Sequence, residues 1–332
     1  MKNMVWKLSA AAVLVAVFAL MVGCKRSAPP PPGPTTPATV PQLEGRIRIS
    51  GAWALYPMMA RWAEEFQKLH PGVRIDVSAG GAGKGMADAL AGLVEIGMVS
   101  REITPAEVQK GAAYAAVVGD AVFPTISALN PLLKTDLAAR GVRKQALVDL
   151  WIGGKPLTWG EICGADSAEK VSLYTRSDSC GAAETWAVYL GKKKQEDLKG
   201  VGVYGDPGVA EAVKNDRWGL GYNNLNFAFN AKTGQLVEGV AVLPVDLNED
   251  GKIGEGERLT TMAEAIEAIR KGVYPSPPAR TLYLVTKTQF QGVTAVFLRW
   301  ILTDGQKLAP EAGYLGLSPE QLADALKTIP AN

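Results

Sequence analysis

The sequence predicts an α/β fold, a sheet whose strands are connected by helical crossovers. Strand-like and helix-like patterns alternate along the chain from residue 46 onward. Several strand patterns end at a glycine-containing loop that leads directly into a helix pattern, which is typical of such folds. No repeat with a fixed period of 20–50 residues is present, so a repeat architecture is not expected.

The first elements show this alternation. Residues 46–50 alternate charged and apolar side chains, which predicts a strand, and Gly51 ends it. Pro57 is tolerated in the first turn of a helix. Residues 73–77 predict the next strand and residues 86–93 the next helix. The apolar stripe of the helix that begins near Pro57 consists of Met58, Met59, Trp62, Ala63 and Phe66.

The composition argues against several classes of function. The 332 residues include 35 Lys or Arg and 33 Asp or Glu, a formal net charge of +2 without a basic run, so no surface for nucleic acid is expected. His70 is the single histidine, which argues against His-based triads and multi-histidine metal sites. A hydrophobic content of 47% can build the core of one large or two mid-sized lobes.

Residues 1–24 predict a lipoprotein signal peptide. Two lysines precede an apolar run over residues 8–22, which has the length of a signal-peptide core and is short for a membrane span. The run ends in LMVGC, which resembles the bacterial lipobox whose cysteine, here Cys24, is diacylated and becomes the mature N-terminus. An uncleaved anchor and an ordinary cleavage site are the alternatives. The proline-rich residues 25–45 predict a semi-extended tether.

Three loops are each placed to bind an anion. They cover residues 51–57, 79–85 and 174–186, and each leads into a predicted helix, whose first backbone N–H groups lack helical partners and carry partial positive charge. The third loop adds Arg176, which can form bidentate hydrogen bonds with an oxyanion, and Asp178. The second loop is not a Walker A motif, because its lysine is not followed by Ser or Thr, so an NTPase is excluded.

Five segments, in their order and spacing, resemble the PstS-like phosphate-binding component of bacterial phosphate ABC transporters. The similarity covers residues 47–318. The segments are SGAWALYPMMARWAEEF, VEIGMVSREIT, YTRSDSCGAAETW, GLGYNNLNFAF and WILTDGQKLAPEAGYLGLS.

The resemblance implies a two-lobed periplasmic binding protein fold, similar to type II, with the ligand in a cleft between the lobes. Lobe I would comprise residues 46–125 and 281–332, and lobe II residues 126–280, with two chain crossings that allow closure. The resemblance also implies that the chain binds inorganic phosphate, or a similar oxyanion, in the periplasm or at the cell surface and delivers it to an ABC permease in the membrane. It is not expected to be an enzyme, because no nucleophile–base pair or catalytic metal cluster is visible.

By the same resemblance, Arg176 is the anion-binding arginine, Asp178 the carboxylate that orients it and Gly181 the signature glycine. Ser100 stands where some members carry an aspartate that accepts a proton from phosphate, and Arg101 follows it. Four positions lack the hydroxyl of the family pattern: Leu55, Gly81, Cys180 and Ala182. The expected ligand-binding residues are Ala54, Leu55, Tyr56, Gly81, Ala82, Ser100, Arg101, Arg176, Asp178, Cys180, Gly181 and Ala182.

The identity of the anion and the role of binding have alternatives. The chain could bind sulfate or molybdate instead, or could be a surface lipoprotein that senses an anion. Phosphate carries a proton at neutral pH, so a pocket that prefers it to sulfate needs a hydrogen-bond acceptor. The candidate acceptors are Asp178, Glu184 and Glu102.

Residues 246–257 match the calcium-loop pattern Asp-x-Asn-x-Asp-Gly-x5-Glu at every required position. A structural Ca²⁺ is therefore expected, although residues 240–245 predict a strand and no EF-hand helix pair is apparent. A polar hairpin turn is the alternative, since Asn, Asp and Gly favour turns. The expected ligands are Asp246, Asn248, Asp250, the carbonyl of Lys252 and Glu257. No other cofactor is expected.

Two further features have two interpretations each. Cys163 and Cys180 could form a disulfide in an oxidising compartment, or could be unpaired thiols. Trp53 and Tyr56 could line the mouth of the anion pocket, or could belong to the core.

Overall fold

The computed structural model describes residues 42–273 and 279–330, and within these ranges it contains eleven strands and twelve α-helices. The strands are β1 (Gly45–Gly51), β2 (Val73–Ala79), β3 (Ile96–Val99), β4 (Ala112–Ser127), β5 (Val142–Arg143), β6 (Ser172–Arg176), β7 (Val201–Val203), β8 (Gly219–Asn224), β9 (Val240–Val242), β10 (Val245–Asp246) and β11 (Ala279–Lys287). The helices are α1 (Tyr56–Leu69), α2 (Ala82–Ala91), α3 (Pro105–Gln109), α4 (Asp136–Arg140), α5 (Lys144–Trp151), α6 (Trp159–Cys163), α7 (Gly181–Gly191), α8 (Gly205–Asn215), α9 (Leu225–Ala228), α10 (Met262–Arg270), α11 (Gly292–Leu302) and α12 (Pro319–Lys327).

Nine of these strands form one mixed sheet in the order β2-β1-β3-β11-β4-β8-β6-β7, with β9 also paired to β4. β1 is parallel to β2 and β3, and β6 is parallel to β7 and β8, with helices in the connections. β11 is antiparallel to β3 and β4. The predicted α/β fold with helical crossovers is therefore confirmed, with antiparallel strands at its centre.

The first strand and helix form as predicted. β1 ends at Gly51, and α1 carries Pro57 in its first turn, where the missing N–H costs no helical hydrogen bond. The five apolar residues of the predicted stripe are all buried in the core. A spacing of three and four residues places these side chains on one face of the helix, which packs against the sheet.

The second helix begins earlier than its sequence predicts. α2 starts at Ala82 rather than residue 86, so half of the predicted glycine-rich loop is helical. A Cβ on Gly85 would lie 2.5 Å from the Met98 carbonyl oxygen and 2.8 Å from the Cα of Gly51. Glycine at position 85 therefore allows close packing of the helix on β1 and β3, and it does not mark a loop.

The long strand β4 connects two hydrophobic clusters. The first cluster buries side chains from residues 47–118 and 282–329, and the second buries side chains from residues 121–268. β4 and its antiparallel neighbour β11 contribute to both. The chain passes from one cluster to the other near residues 120 and 280, close to the expected lobe boundaries. The two lobes and their closure stay a prediction.

In the ranges 42–273 and 279–330, no helix has the length and apolar character needed to cross a membrane. The predicted signal peptide, Cys24 and the tether as far as residue 41 lie outside the described residues.

Candidate functional site

The three predicted anion loops contact one another. The N–H of Gly81 donates to the Gly51 carbonyl at 3.0 Å, which connects the first loop to the second. The N–H of Gly83 donates to the Ser179 carbonyl at 3.2 Å, which connects the second loop to the third. Residues 51–57, 79–85 and 174–186 are called the loop cluster below.

Two glycines make this contact possible. Gly81 has a φ of 93°, and a Cβ there would lie 2.6 Å from the Ser179 carbonyl oxygen and 2.8 Å from Oδ2 of Asp178. A Cβ on Gly181 would overlap the carbonyl of Ser100. A serine like that of the resembling family does not fit at position 81 in this arrangement, which explains the departure.

Arg176 lies at the end of β6 and is held by two carboxylates. Its Nε and Nη2 donate to Oδ1 and Oδ2 of Asp178 at 2.7 and 2.6 Å, as the sequence predicts, and its Nη1 donates to Oδ2 of Asp206 at 2.5 Å. Burial alone lowers the pKa of this guanidinium, but the charges of Asp206 and Asp178 outweigh burial and raise it, so Arg176 stays charged. These bonds use three of its five N–H groups, and the other two belong to Nη1 and Nη2.

Sequence reasoning missed Asp206. This aspartate follows Gly205 in the first turn of α8 and is buried, and its Oδ1 accepts the N–H of Asn224 at 3.1 Å. The Gly205 N–H in turn donates to Oδ1 of Asp178 at 3.1 Å. The only signal in the sequence was an Asp directly after a Gly, and nothing local indicates that this Asp faces an arginine 30 positions earlier.

Cys180 caps the helix that follows Arg176. Its Sγ accepts the N–H of Ala183 at 3.4 Å, and its own N–H donates to Oε1 of Gln195 at 3.0 Å. Burial raises the pKa of the Cys180 thiol to about 12 despite the opposing effect of Arg176, so the thiol is neutral. Cys163 is also an unpaired thiol, which donates to the Trp159 carbonyl at 3.0 Å, so the two cysteines do not form the disulfide considered from the sequence.

The first loop offers fewer backbone donors than expected. Residues 53–55 form a short 3₁₀ turn, in which the N–H of Leu55 donates to Ala52 and the N–H of Tyr56 donates to Trp53. The N–H of Gly81 is likewise occupied by Gly51. The assignment of Leu55, Tyr56 and Gly81 as ligand-binding residues is therefore not supported by their N–H groups.

Other members of the predicted set are better placed. The N–H groups of Ala82 and Ala182 fall in the first turns of α2 and α7, where helix geometry provides no partner four residues earlier. Ala54 is buried, and its carbonyl accepts the hydroxyl of Tyr314 at 2.7 Å, so it belongs to the core.

Trp53 is a second feature that the sequence left undecided. Its ring lies 6.2 Å from that of Tyr204 in an edge-on arrangement, and a Cβ on Gly205 would lie 3.2 Å from its Nε1. This buried Nε1 has no hydrogen-bond partner within the described part of the chain. The indole N–H, which lies beside Gly205, is therefore a candidate hydrogen-bond donor to the anion.

Ser100 and Arg101 differ in their placement. Ser100 is buried and its backbone contacts Gly181. Arg101 turns to α3, where Nη1 and Nη2 donate to the Glu107 carboxylate at 3.0 and 2.7 Å. Burial acts to raise the pKa of Glu107, but the bond from Arg101 and the capping bonds of Thr104 lower it overall. The contacts of Arg101 thus do not support its predicted role as a second anion-binding arginine.

A second buried ion pair extends from the loop cluster. Nη2 of Arg280 on β11 donates to Oδ2 of Asp120 on β4 at 3.2 Å and also bonds Oδ1 of Asn224, whose N–H contacts Asp206. Burial raises the pKa of Asp120 to about 6 against the opposing charge of Arg280. A lone aspartate in the apolar run AAVVGDAVF was the available signal for this pair, because buried carboxylates are rare without a partner.

Comparisons with known proteins agree with this architecture. A family model described as a PBP superfamily domain matches residues 34–305. The chain is 26% identical to the phosphate-binding protein PstS of Bacillus subtilis, over 82% of this chain and 81% of the relative. It is 27% identical to the phosphate-binding protein PstS of Methanocaldococcus jannaschii, over 83% of each chain.

A solved structure has the same fold. The substrate-binding protein with bound phosphate from Clostridium perfringens superposes with a TM-score of 0.66 and 20% identity, over 82% of this chain and 100% of that protein. At this identity the likeness concerns the fold, and it confirms the binding-protein fold expected from the resemblance.

Proposed function

We propose that this chain, which belongs to the PBP superfamily, is the solute-binding component of an ABC importer and binds an oxyanion, with inorganic phosphate the first candidate. The observation that carries the proposal is Arg176, a buried arginine fixed by two carboxylates in a cluster of three helix-entry loops. Two relatives that cover most of the chain are named as phosphate-binding proteins, which supports the same substrate.

The loop cluster offers an anion three kinds of donor. Arg176 has two N–H groups beyond those that its carboxylates use, and they can form charge-assisted hydrogen bonds. The first turns of α2 and α7 provide backbone N–H groups with partial positive charge. Together these donors replace the water shell of an oxyanion, with little help from side-chain hydroxyls.

Preference for phosphate over sulfate rests on Asp178. Its Oδ1 accepts two hydrogen bonds, from Arg176 and from the Gly205 N–H, whereas its Oδ2 accepts one from Arg176. This Oδ2 faces the second loop, since a Cβ on Gly81 would lie 2.8 Å from it. Its remaining lone pair can accept the proton that phosphate carries, and it would repel fully ionised sulfate. Glu184 is the less suitable acceptor, because its Oε2 already accepts the N–H of Gln195, with 3.4 Å between nitrogen and oxygen.

The proposal includes no catalytic step. A thiol beside an arginine is a familiar nucleophile when its pKa is low. The pKa of Cys180 is raised to about 12, and the Sγ accepts a hydrogen bond from Ala183 as a helix cap. A site that holds an anion without a nucleophile and a base can bind and release it unchanged. The binding component of an importer must do this.

Membrane attachment through Cys24 forms part of the proposal and rests on the lipobox alone. A diacylated Cys24 followed by a proline-rich tether would hold the binding domain near an ABC permease, in the periplasm or at the cell surface. Release of a Cys24→Ser chain from the membrane fraction supports lipid anchoring. A variant that still sediments with membranes indicates anchoring by the apolar segment itself.

Titration calorimetry of the full chain in detergent with phosphate, sulfate and molybdate tests the proposed function. We expect phosphate to bind and sulfate not to compete. Arg176→Lys should weaken phosphate binding at least tenfold, because lysine cannot form the bidentate contact (about 1.4 kcal/mol per factor of ten).

The matched control is Arg46→Lys, since Arg46 forms a largely exposed ion pair with Asp76 outside the loop cluster. This variant should bind phosphate as the unmodified chain does. Equal competition by sulfate contradicts the phosphate assignment, and an absence of binding by all three anions contradicts the function itself.

A further inference from the structure

We propose that residues 246–257 bind one calcium ion, at a site outside the loop cluster and separate from anion binding. The loop begins at Asp246, the last residue of β10, which pairs in parallel with β5 through Val245 and Val142. It is followed by α10 from Met262, and the element before it is a strand, so the loop is not part of a helix pair of the EF-hand type. The proposal rests on the side chains that the loop buries.

Asp246, the first residue of the loop, has an unsatisfied carboxylate oxygen. The side chain is 1% exposed, and its Oδ2 accepts the N–H of Gly251 at 3.0 Å, which turns the carboxylate toward the loop. The buried Oδ1 has no hydrogen-bond partner among the described residues. Leaving such an oxygen unpaired is costly, and a bound cation removes the cost.

A protein cation lies near Asp246 but does not satisfy this oxygen. Nε of Arg143 is 3.6 Å from Oδ2, the oxygen that already accepts Gly251, and the Arg143 side chain is mostly exposed. The pair is therefore long and largely solvated, and it leaves Oδ1 available to a metal ion.

Glu257, the last residue of the loop, is also buried and also faces its interior. Its Oε1 accepts the N–H groups of Leu247 at 2.8 Å and Asn248 at 3.3 Å, and its Oε2 accepts the N–H of Gly254 at 2.7 Å. Oε1 uses both of its lone-pair directions for these two N–H groups, whereas Oε2 retains one that a cation can use. Buried carboxylates therefore stand at the first and twelfth positions, where a calcium loop carries acidic ligands.

The residues between them complete an oxygen-only ligand set. The Oδ1 of Asn248 accepts the N–H of Asp250 at 3.0 Å, and the Oδ1 of Asp250 accepts the N–H of Lys252 at 2.8 Å. These bonds fold the side chains of Asn248 and Asp250 along the loop, and the loop pattern assigns the Lys252 carbonyl as a further ligand. Gly251 has a φ of 81°, which supplies the sharp turn that the sixth position of such a loop requires.

The chemistry of these donors selects calcium. Among the described residues, no group of three or more His, Cys, Asp or Glu side chains is assembled as a metal site, so the proposed ligands must draw together on binding. Oxygen donors alone disfavour zinc, which prefers nitrogen and sulfur. A flexible set of six or seven oxygens suits calcium better than magnesium, which needs a compact octahedron.

Calcium at this loop would stabilise the second hydrophobic cluster. The N–H of Ile253 donates to the Ala139 carbonyl at 3.0 Å, and the Ile253 side chain lies against Gly141. The loop thus contacts α4 through Ala139 and the α4–β5 connection through Gly141. An ion that binds only the folded loop raises the free energy of unfolding by mass action.

Thermal unfolding of the metal-free full chain, with EDTA or with about 5 mM CaCl₂ or MgCl₂, tests the site. We expect calcium to raise Tm by about 5 °C and magnesium to raise it by less. Asp246→Asn and Glu257→Gln should abolish the calcium effect, whereas Glu255→Gln, which removes an exposed carboxylate at a non-ligand position of the same loop, should retain it.

Calorimetric titration of the unmodified chain with CaCl₂ gives a second measurement that does not depend on how the variants fold. One calcium per chain supports the site. No calcium uptake at millimolar concentration, together with equal Tm in CaCl₂ and EDTA, overturns the proposal and leaves the loop as a polar turn. Phosphate binding is measured with and without EDTA in the same experiment. Unchanged phosphate binding shows that a failure of the calcium proposal leaves the anion-binding proposal intact.

Discussion

Arg176 and Asp206 form an ion pair in which each side chain is 1% exposed and Nη1 lies 2.5 Å from Oδ2. Asp178 holds the other side of the same guanidinium. Two carboxylates thus contact one guanidinium. The two aspartates orient the guanidinium and offset its positive charge. An anion must therefore draw further stabilisation from the helix N-termini.

Asp206→Asn should destabilise the protein by about 3 kcal/mol, because it leaves a buried guanidinium with one carboxylate fewer. The midpoint of urea unfolding and its slope measure this loss. Asp304→Asn is the control, since Asp304 forms an exposed pair with Lys307 and should change stability by less than about 0.5 kcal/mol. Equal effects of the two variants contradict a structural role for the buried pair.

Trp53→Phe should weaken phosphate binding about tenfold while preserving the fold. The buried Nε1 has no partner among the described residues, and phenylalanine keeps an aromatic ring against Gly205 without the donor. Calorimetry measures the change. Trp300→Phe, which alters a ring packed against Phe66 and Phe297, should leave affinity unchanged. Unaltered affinity in Trp53→Phe assigns the indole to packing alone.

Cys180→Ser should strengthen phosphate binding, by about tenfold, because it restores a hydroxyl where the thiol is a weak donor. Serine is also a good helix cap and can accept the N–H of Ala183. Cys163→Ser provides the matched control, since that thiol donates to Trp159 outside the loop cluster. An affinity that rises in both variants, or in neither, contradicts the placement of Cys180 beside the anion.

Asp120 should make the protein less stable as pH rises from about 4 to about 6. Burial raises its pKa from 3.8 to about 6 in the folded state, so in this window the folded chain holds a proton that the unfolded chain releases. The free energy of unfolding therefore falls by up to about 3 kcal/mol across the window. Urea unfolding at pH 4.5 and 6.5 measures it.

Asp120→Asn mimics the protonated side chain and should lack this component, so its stability relative to the unmodified chain should improve as pH rises. Other carboxylates titrate in the same window, but they contribute to both chains and cancel in the difference. A difference that is constant between pH 4.5 and 6.5 shows that the Arg280 charge keeps the pKa of Asp120 near its ordinary value.

Local features of the chain were predictable because their causes lie within a few residues. The apolar spacing of α1 specified its buried face, and Arg176 and Asp178 are close enough in sequence to meet at the end of β6. The first two loops follow β1 and β2, which are parallel neighbours, so their turns meet at one edge of the sheet. The third loop follows β6, which four strands separate from β1, so its contact with the second loop depends on the tertiary structure. Glycine content misled the prediction at Gly85, where the residue serves close packing inside a helix.

The sequence by itself determined the α/β alternation, the family resemblance and the identity of the buried arginine. Only the tertiary structure decided that Asp206, 30 positions away, completes the setting of Arg176, and that Asp120 and Arg280, 160 positions apart, pair across β4 and β11. It also separated Arg101 from Arg176 by turning it to Glu107. Such partners depend on strand order and register, which arise from the packing of the whole sheet rather than from any local pattern.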